Sequence, residues 1–278
     1  GFLAMCPGGY PIVSTRNWRS SFLPGSYQGT YLDTKNTTID KLLENIRSTA
    51  TGTERQSHQL ELLTSLNKQH ENEHPYDPRL ETRIKSFEMA YRMQLESAEA
   101  FDLSRETQYT LDMYGDTVIG RQLLLTRRLI ERGVRFIQAW SGAGQPWDNH
   151  SGLESGHWEL AKQWDTPIAA LMTDLKQRGL FDDTLILWGG EFGRTPVAEK
   201  PALNGRDHNH YGFSVWLAGG GIKGGTTHGQ TDDFGFRAVA SPTSVHDLHA
   251  TMLHLLGLDH KQLTYRFAGR DFRLTDVH

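Results

Sequence analysis

Three short segments between Trp147 and His210 hold the residues of this chain best suited to metal chemistry. They are Trp147-Asp148-Asn149-His150, Gly189-Gly190-Glu191-Phe192-Gly193-Arg194-Thr195-Pro196 and Gly205-Arg206-Asp207-His208-Asn209-His210. Asp148, His150, Glu191, Asp207 and His208 are the candidate ligands, because imidazole and carboxylate donors suit zinc, manganese and iron. A single cysteine in 278 residues excludes a thiolate zinc site. Arg194 follows Glu191 in a Gly-rich turn, where a guanidinium beside a cation can hold sulfate or phosphate bidentately. His210 is the candidate general acid, since histidine titrates near neutral pH.

Blander readings compete with each of these. Asp148 and His150 can simply hydrogen-bond a loop, as Asx residues often do, and Arg194 can form a salt bridge to Glu191 or Asp207. His157, in the first turn of an expected helix, reads as a capping or packed histidine. His246, Asp247, His249 and His254 resemble a second ligand cluster, but Val245, Leu248, Met252, Leu253, Leu255 and Leu256 mark a buried helix face, with Asp247 favoured near the helix N-terminus. Gly219-Gly220-Gly221-Ile222-Lys223-Gly224-Gly225 lacks the Gly-Lys-Ser/Thr ending of a phosphate loop and reads as a turn. Cys6 lacks the proline and arginine spacing of a sulfatase nucleophile and reads as a structural thiol.

The elements that must position the three segments show in the periodicity. A helix is expected over 120–132 with Gly133 at its C-terminal cap, then a strand over 134–140, a second helix over 157–178 closed by Gly179, strands over 184–188 and 213–218, and a last helix over 244–256. The apolar run Thr184-Leu185-Ile186-Leu187-Trp188 has the texture of a buried parallel strand. This alternation predicts an α/β fold with a parallel sheet covered on both faces, and the segments holding Asp148, His150 and Glu191 follow strand ends, where active sites of such sheets lie. Residues 1–36 read as a packed irregular segment, although Gly1 to Met5 has the look of a strand entering a turn. Residues 37–115 read as a helical insertion or cap in which Leu43, Leu63, Phe87 and Tyr91 should be buried, and 116–278 as the α/β part.

The net charge of −4 argues against nucleic-acid binding, which draws on clustered Lys and Arg. The longest apolar runs fall far short of the ~20 residues that span a bilayer. Opening on Gly1, the chain is expected to be a fragment of a longer protein.

Several stretches together resemble a known bacterial family, the domain-of-unknown-function 1501 proteins, often labelled sulfatase-like. They are Gly190-Glu191-Phe192-Gly193-Arg194-Thr195-Pro196, Gly205-Arg206-Asp207-His208, Leu217-Ala218-Gly219-Gly220-Gly221-Ile222-Lys223-Gly224-Gly225, His246-Asp247-Leu248-His249-Ala250-Thr251 and Gly269-Arg270-Asp271-Phe272-Arg273-Leu274-Thr275. That family looks like a branch of the alkaline phosphatase and sulfatase superfamily. The resemblance implies a doubly wound, mostly parallel α/β sheet with a helical insertion or cap, and a periplasmic or secreted setting. It implies a divalent metal (zinc, manganese, calcium or magnesium) held by Asp148, His150, Glu191, Asp207 and His208, and hydrolysis of a sulfate or phosphate ester of a small molecule or glycan. Glu191-Phe192 stands where the superfamily has Asp-His, which removes one imidazole from the expected set. The resemblance places the nucleophile and a further carboxylate upstream of Gly1, so this chain alone is expected to be catalytically silent. Two alternatives remain: a non-catalytic member that binds sulfated or phosphorylated glycan, and a structural or assembly protein that uses its helical segment.

Overall fold

The computed structural model describes residues 1–43, 53–73, 99–198 and 200–275. The chain divides into two compact units, one of Gly1–Pro146 with Thr166–Leu171 and one of Trp147–Asp165 with Met172–His278.

In the first unit Phe2–Met5 (β1) is the central strand of a three-stranded parallel sheet, flanked by Thr30–Leu32 (β2) and Phe136–Ala139 (β3). Leu3 pairs with Thr30 on one side and Ile137 on the other. The segment read as irregular therefore supplies the middle of the sheet; a four-residue strand between turns is too short to show a period. Ile39–Leu42 (α1) follows β2. After Thr53–Glu73 (α2) and Gln108–Tyr114 (α3) comes Val118–Glu131 (α4), whose N-terminus is capped by the Thr117 hydroxyl accepting from Gly120 N at 2.9 Å. Gly133 at φ 79° ends that run as a left-handed cap. Leu125 and Leu129 of α4 join Leu3, Met5, Leu32, Leu42, Leu43, Ala100 and Phe101 in one apolar core.

Leu43 is buried as expected, but Leu63 of α2 is exposed, along with Leu62 and Leu66. A leucine spacing shows which residues share a helix face, and no described element covers this one. Phe87 and Tyr91 lie outside the described residues.

A charged network is buried in the same unit. The Glu106 carboxylate accepts from Arg127 Nη2 at 2.6 Å and from Arg128 Nη1, while Arg128 also donates to the Ala100 and Glu99 carbonyls at 2.8 and 2.7 Å. Arg127 is further paired with Glu131 at 2.7 Å. Burial pushes the Glu106 carboxyl up, yet the two guanidiniums outweigh it and hold its pKa below the usual value. Cys6 is fully buried, and burial together with the Asp33 charge raises its thiol to about 12, so it is protonated and inert near neutral pH.

The second unit is built on Leu153–Gln177 (α5), whose middle turn belongs to the first unit. Its strands are short: Ile186–Trp188 (β4), Gly193–Arg194 (β5), His208–Asn209 (β6), Trp216–Ala218 (β7), Gln230–Thr231 (β8) and Ala238–Ala240 (β9). They pair antiparallel as β4 with β7, β5 with β6, and β8 with β9. The expectation of a parallel β4 is corrected here. Nor is the strand buried: Ile186 and Trp188 are half-buried and Leu187 is exposed, and an apolar run does not report the direction of the neighbouring strand. The described residues thus show a mixed α/β arrangement with one parallel sheet and several antiparallel pairs, not one continuous sheet.

Val245–Leu255 (α6) begins with a capping box in which Asp247 accepts from Ser244 N at 2.8 Å, the helix-start role expected of that carboxylate. Thr264–Phe267 (β10) and Arg270–Arg273 (β11) close the chain as a hairpin whose two turn residues, Ala268 and Gly269, have φ of 48° and 82°. Among the described residues no helix is long and apolar enough to cross a membrane.

Candidate metal centre

Strand pairing sets the first half of the site. Arg194 lies directly opposite His208 in the β5–β6 ladder, and opposed residues of an antiparallel pair project from the same face, so the guanidinium and the imidazole are neighbours. Gly193 allows this ladder to pack closely: a Cβ there would stand 2.6 Å from the Gly212 carbonyl oxygen and 2.8 Å from Phe213 Cβ. Phe192 joins the same face, its ring 4.3 Å from that of His208 and 5.8 Å from Arg194 Cζ.

A tight turn sets the second half. Trp147 packs edge-on against Trp188 at the end of β4, at 6.1 Å, and against His157 in α5, at 5.2 Å, while Trp164 packs on Trp188 at 4.9 Å. The His157 ring also lies 3.3 Å from the Trp147 carbonyl oxygen, so this histidine packs and anchors the turn. Two backbone bonds tie the turn to the β6 side: Arg206 N donates to Asn149 O at 3.2 Å, and Leu153 N donates to Asn204 O at 3.0 Å. Between them Gly205 lies flat on the His150–Ser151 peptide, where a Cβ would fall 1.8 Å from His150 O.

The two halves meet on a single oxygen. Asp148 Oδ1 is 3.1 Å from His150 Nε2, 3.1 Å from His208 Nε2 and 2.6 Å from Arg194 Nη2, and the two imidazole nitrogens are 3.2 Å apart. Asp148 and Arg194 are largely covered, whereas the His150 and His208 side chains remain 40% and 43% exposed, so the cluster opens to solvent on the imidazole side. Partial burial raises the Asp148 carboxyl, but the hydrogen bonds from Arg194 and His208 and the neighbouring charges outweigh it, so its pKa is lowered and it is a carboxylate at neutral pH.

Asp148, His150 and His208 are the group of described residues whose donor atoms converge closely enough for one cation. The fit can be judged from the spacing. An ion with bonds of ~2.0–2.1 Å separates its ligands by ~3.3 Å when tetrahedral and ~2.9 Å when octahedral. The observed 3.1 to 3.2 Å triangle lies between the two. Each ring nitrogen stands within hydrogen-bond reach of Asp148 Oδ1, and with a cation bound both would turn their lone pairs to it instead.

The other sequence candidates lie outside this group. Glu191 is exposed: Phe192 and Arg194, two residues apart, take the face toward His208. Asp207 alternates with His208 and turns its carboxylate onto His208 N at 2.7 Å. His210 is exposed with its ring 3.9 Å from that of Tyr211. His246, His249 and His254 of α6 enter no such group among the described residues. The sequence did not single out Gly205 or Gly193, and it marked Phe192 only as standing where the superfamily has histidine; the Gly-Arg-Asp-His and Gly-Glu-Phe-Gly-Arg contexts signal turns and say nothing of what those turns touch.

The chain belongs to the family whose model is described as a protein of unknown function (DUF1501), which matches residues 1–278. No curated protein and no solved structure gives a match.

Proposed function

We propose that this chain is a metal-dependent hydrolase, or the greater part of one, acting on sulfate or phosphate esters, within an alkaline-phosphatase-like doubly wound architecture. The observation that carries the reading is the convergence of two imidazole nitrogens and one guanidinium on Asp148 Oδ1. Asp148, His150 and His208 would hold one divalent ion, and two imidazoles in three ligands favour zinc, manganese or iron over calcium and magnesium, which prefer oxygen. When bound, such an ion supplies Lewis-acid stabilisation of charge on an ester oxygen.

The chain's own groups do the rest. Arg194 presents its planar fork beside the carboxylate, where it can orient a tetrahedral oxyanion bidentately. Phe192 lies beside both groups, its ring 4.3 Å from that of His208 and 5.8 Å from Arg194 Cζ. His210 is assigned the proton for the leaving oxygen.

A second reading rests on the exposure of His150 and His208: a site this open suits capture of a sulfated or phosphorylated glycan without turnover. Hydrolysis of aryl sulfate and aryl phosphate, assayed in the protein as encoded in full, separates the two. Turnover should require added zinc or manganese and fall at least ~10²-fold in His208→Ala, whereas His210→Ala should lower kcat ~10-fold or more with metal content unchanged. Stoichiometric metal with no turnover of either ester favours the glycan-binding reading; neither metal nor turnover ends both.

A further inference from the structure

The Asp148 carboxylate has two claimants. Its Oδ1, the oxygen that would ligate a cation with His150 and His208, is already hydrogen-bonded at 2.6 Å by the Arg194 guanidinium. Among the described residues Arg194 has little else to hold it there by hydrogen bonding: its Nη1 reaches the Arg206 carbonyl only at 3.5 Å. Phe192 offers a ring face over which the guanidinium can turn without losing its apolar contact.

We infer that Arg194 is a built-in competitor for the metal site, and that a tetrahedral oxyanion, by drawing Arg194 off Asp148, makes cation and anion bind cooperatively. The inference rests on the metal reading above and adds a regulatory coupling to it. Alone, a cation must share Asp148 Oδ1 with a fixed positive charge close by. An oxyanion offers the guanidinium two acceptor oxygens in place of one and cancels its charge, so the cation then meets the carboxylate undivided. Reciprocity follows: whatever factor the anion adds to cation affinity, the cation adds to anion affinity.

Cobalt(II) and sulfate are suitable probes, because Co2+ bound to imidazole and carboxylate is followed by its visible absorption, and weak Co2+–sulfate pairing in solution works against the expected sign. Co2+ titrations are run on wild type, Arg194→Gln and Arg194→Lys, in sodium sulfate and in sodium chloride of equal ionic strength, with near-ultraviolet circular dichroism reporting the fold. In wild type, sulfate should tighten Co2+ about fivefold or more. Arg194→Gln should bind Co2+ about tenfold more tightly than wild type in chloride and be indifferent to sulfate, while Arg194→Lys, which keeps the charge, should stay nearer wild type. The coupling is overturned if Arg194→Gln folds but binds Co2+ more weakly than wild type, since Arg194 would then be holding Asp148 in place. It is equally overturned if sulfate has no effect on wild type, a comparison that does not depend on any variant folding. Failure of Co2+ to bind wild type under either salt would instead remove the metal reading itself.

Discussion

Gly205→Ala is expected to abolish cation binding at Asp148, His150 and His208 and to destabilise the second unit by about 2–4 kcal/mol. The cause is space alone, since Gly205 does not have a left-handed φ. The added methyl would sit 1.8 Å from His150 O, 2.0 Å from His150 C and 2.6 Å from Ser151 N, all of them backbone atoms that no rotamer change can clear. The two loops must therefore separate by an ångström or more, and the Arg206 N to Asn149 O bond at 3.2 Å is the first to be lost. A donor triangle of 3.1 to 3.2 Å does not survive that movement. Metal titration alongside thermal unfolding checks this; an alanine variant with wild-type metal affinity would show that the loops are not held at this contact.

Glu106→Ala should have the largest effect on stability, about 3–5 kcal/mol, because it leaves two buried guanidiniums without the carboxylate they share. Arg127 keeps Glu131, and Arg128 keeps the carbonyls of Ala100 and Glu99, which sets the upper bound. The pH dependence has a definite sign. The folded pKa of Glu106 is depressed, so its contribution is fully present above the unfolded carboxylate value of ~4.3 and is lost as pH falls through the lower folded value. Glu106→Gln should therefore be less stable than wild type at neutral pH and show a shallower loss in acid, read from denaturant midpoints between pH 7 and pH 3. Parallel profiles for the two proteins would remove Glu106 from the acid response.

The sequence made the long helices legible because they carry local signals. Leucine spacing and Gly133 bound α4, Gly179 closes α5, and Ser244 with Asp247 opens α6. Asp148, His150 and His208 stood out because few residue types can bind a metal, and those three converge. What did not show was tertiary. The direction of the β4–β7 pairing depends on a strand far along the chain, and a run such as Ile186-Leu187-Trp188 reads the same in either direction. The exposure of Leu62, Leu63 and Leu66 depends on whether another element covers that face. Glu191 had the right chemistry but the wrong parity: alternation gives the site-facing positions to Phe192 and Arg194. Gly205 was invisible for a related reason, since a glycine required by a neighbour 55 residues earlier leaves no mark in its own segment.

Asp148, His150 and His208 are proposed to form one cation site. This is tested most directly by metal analysis of the dialysed, zinc-loaded protein together with X-ray absorption at the zinc edge. One zinc per chain is expected, with two imidazole nitrogens and a carboxylate oxygen at ~2.0–2.1 Å, lost in Asp148→Ala and His208→Ala and retained in Glu191→Ala. A wild-type protein that keeps no zinc, or one whose zinc is untouched by Asp148→Ala and His208→Ala, would contradict it.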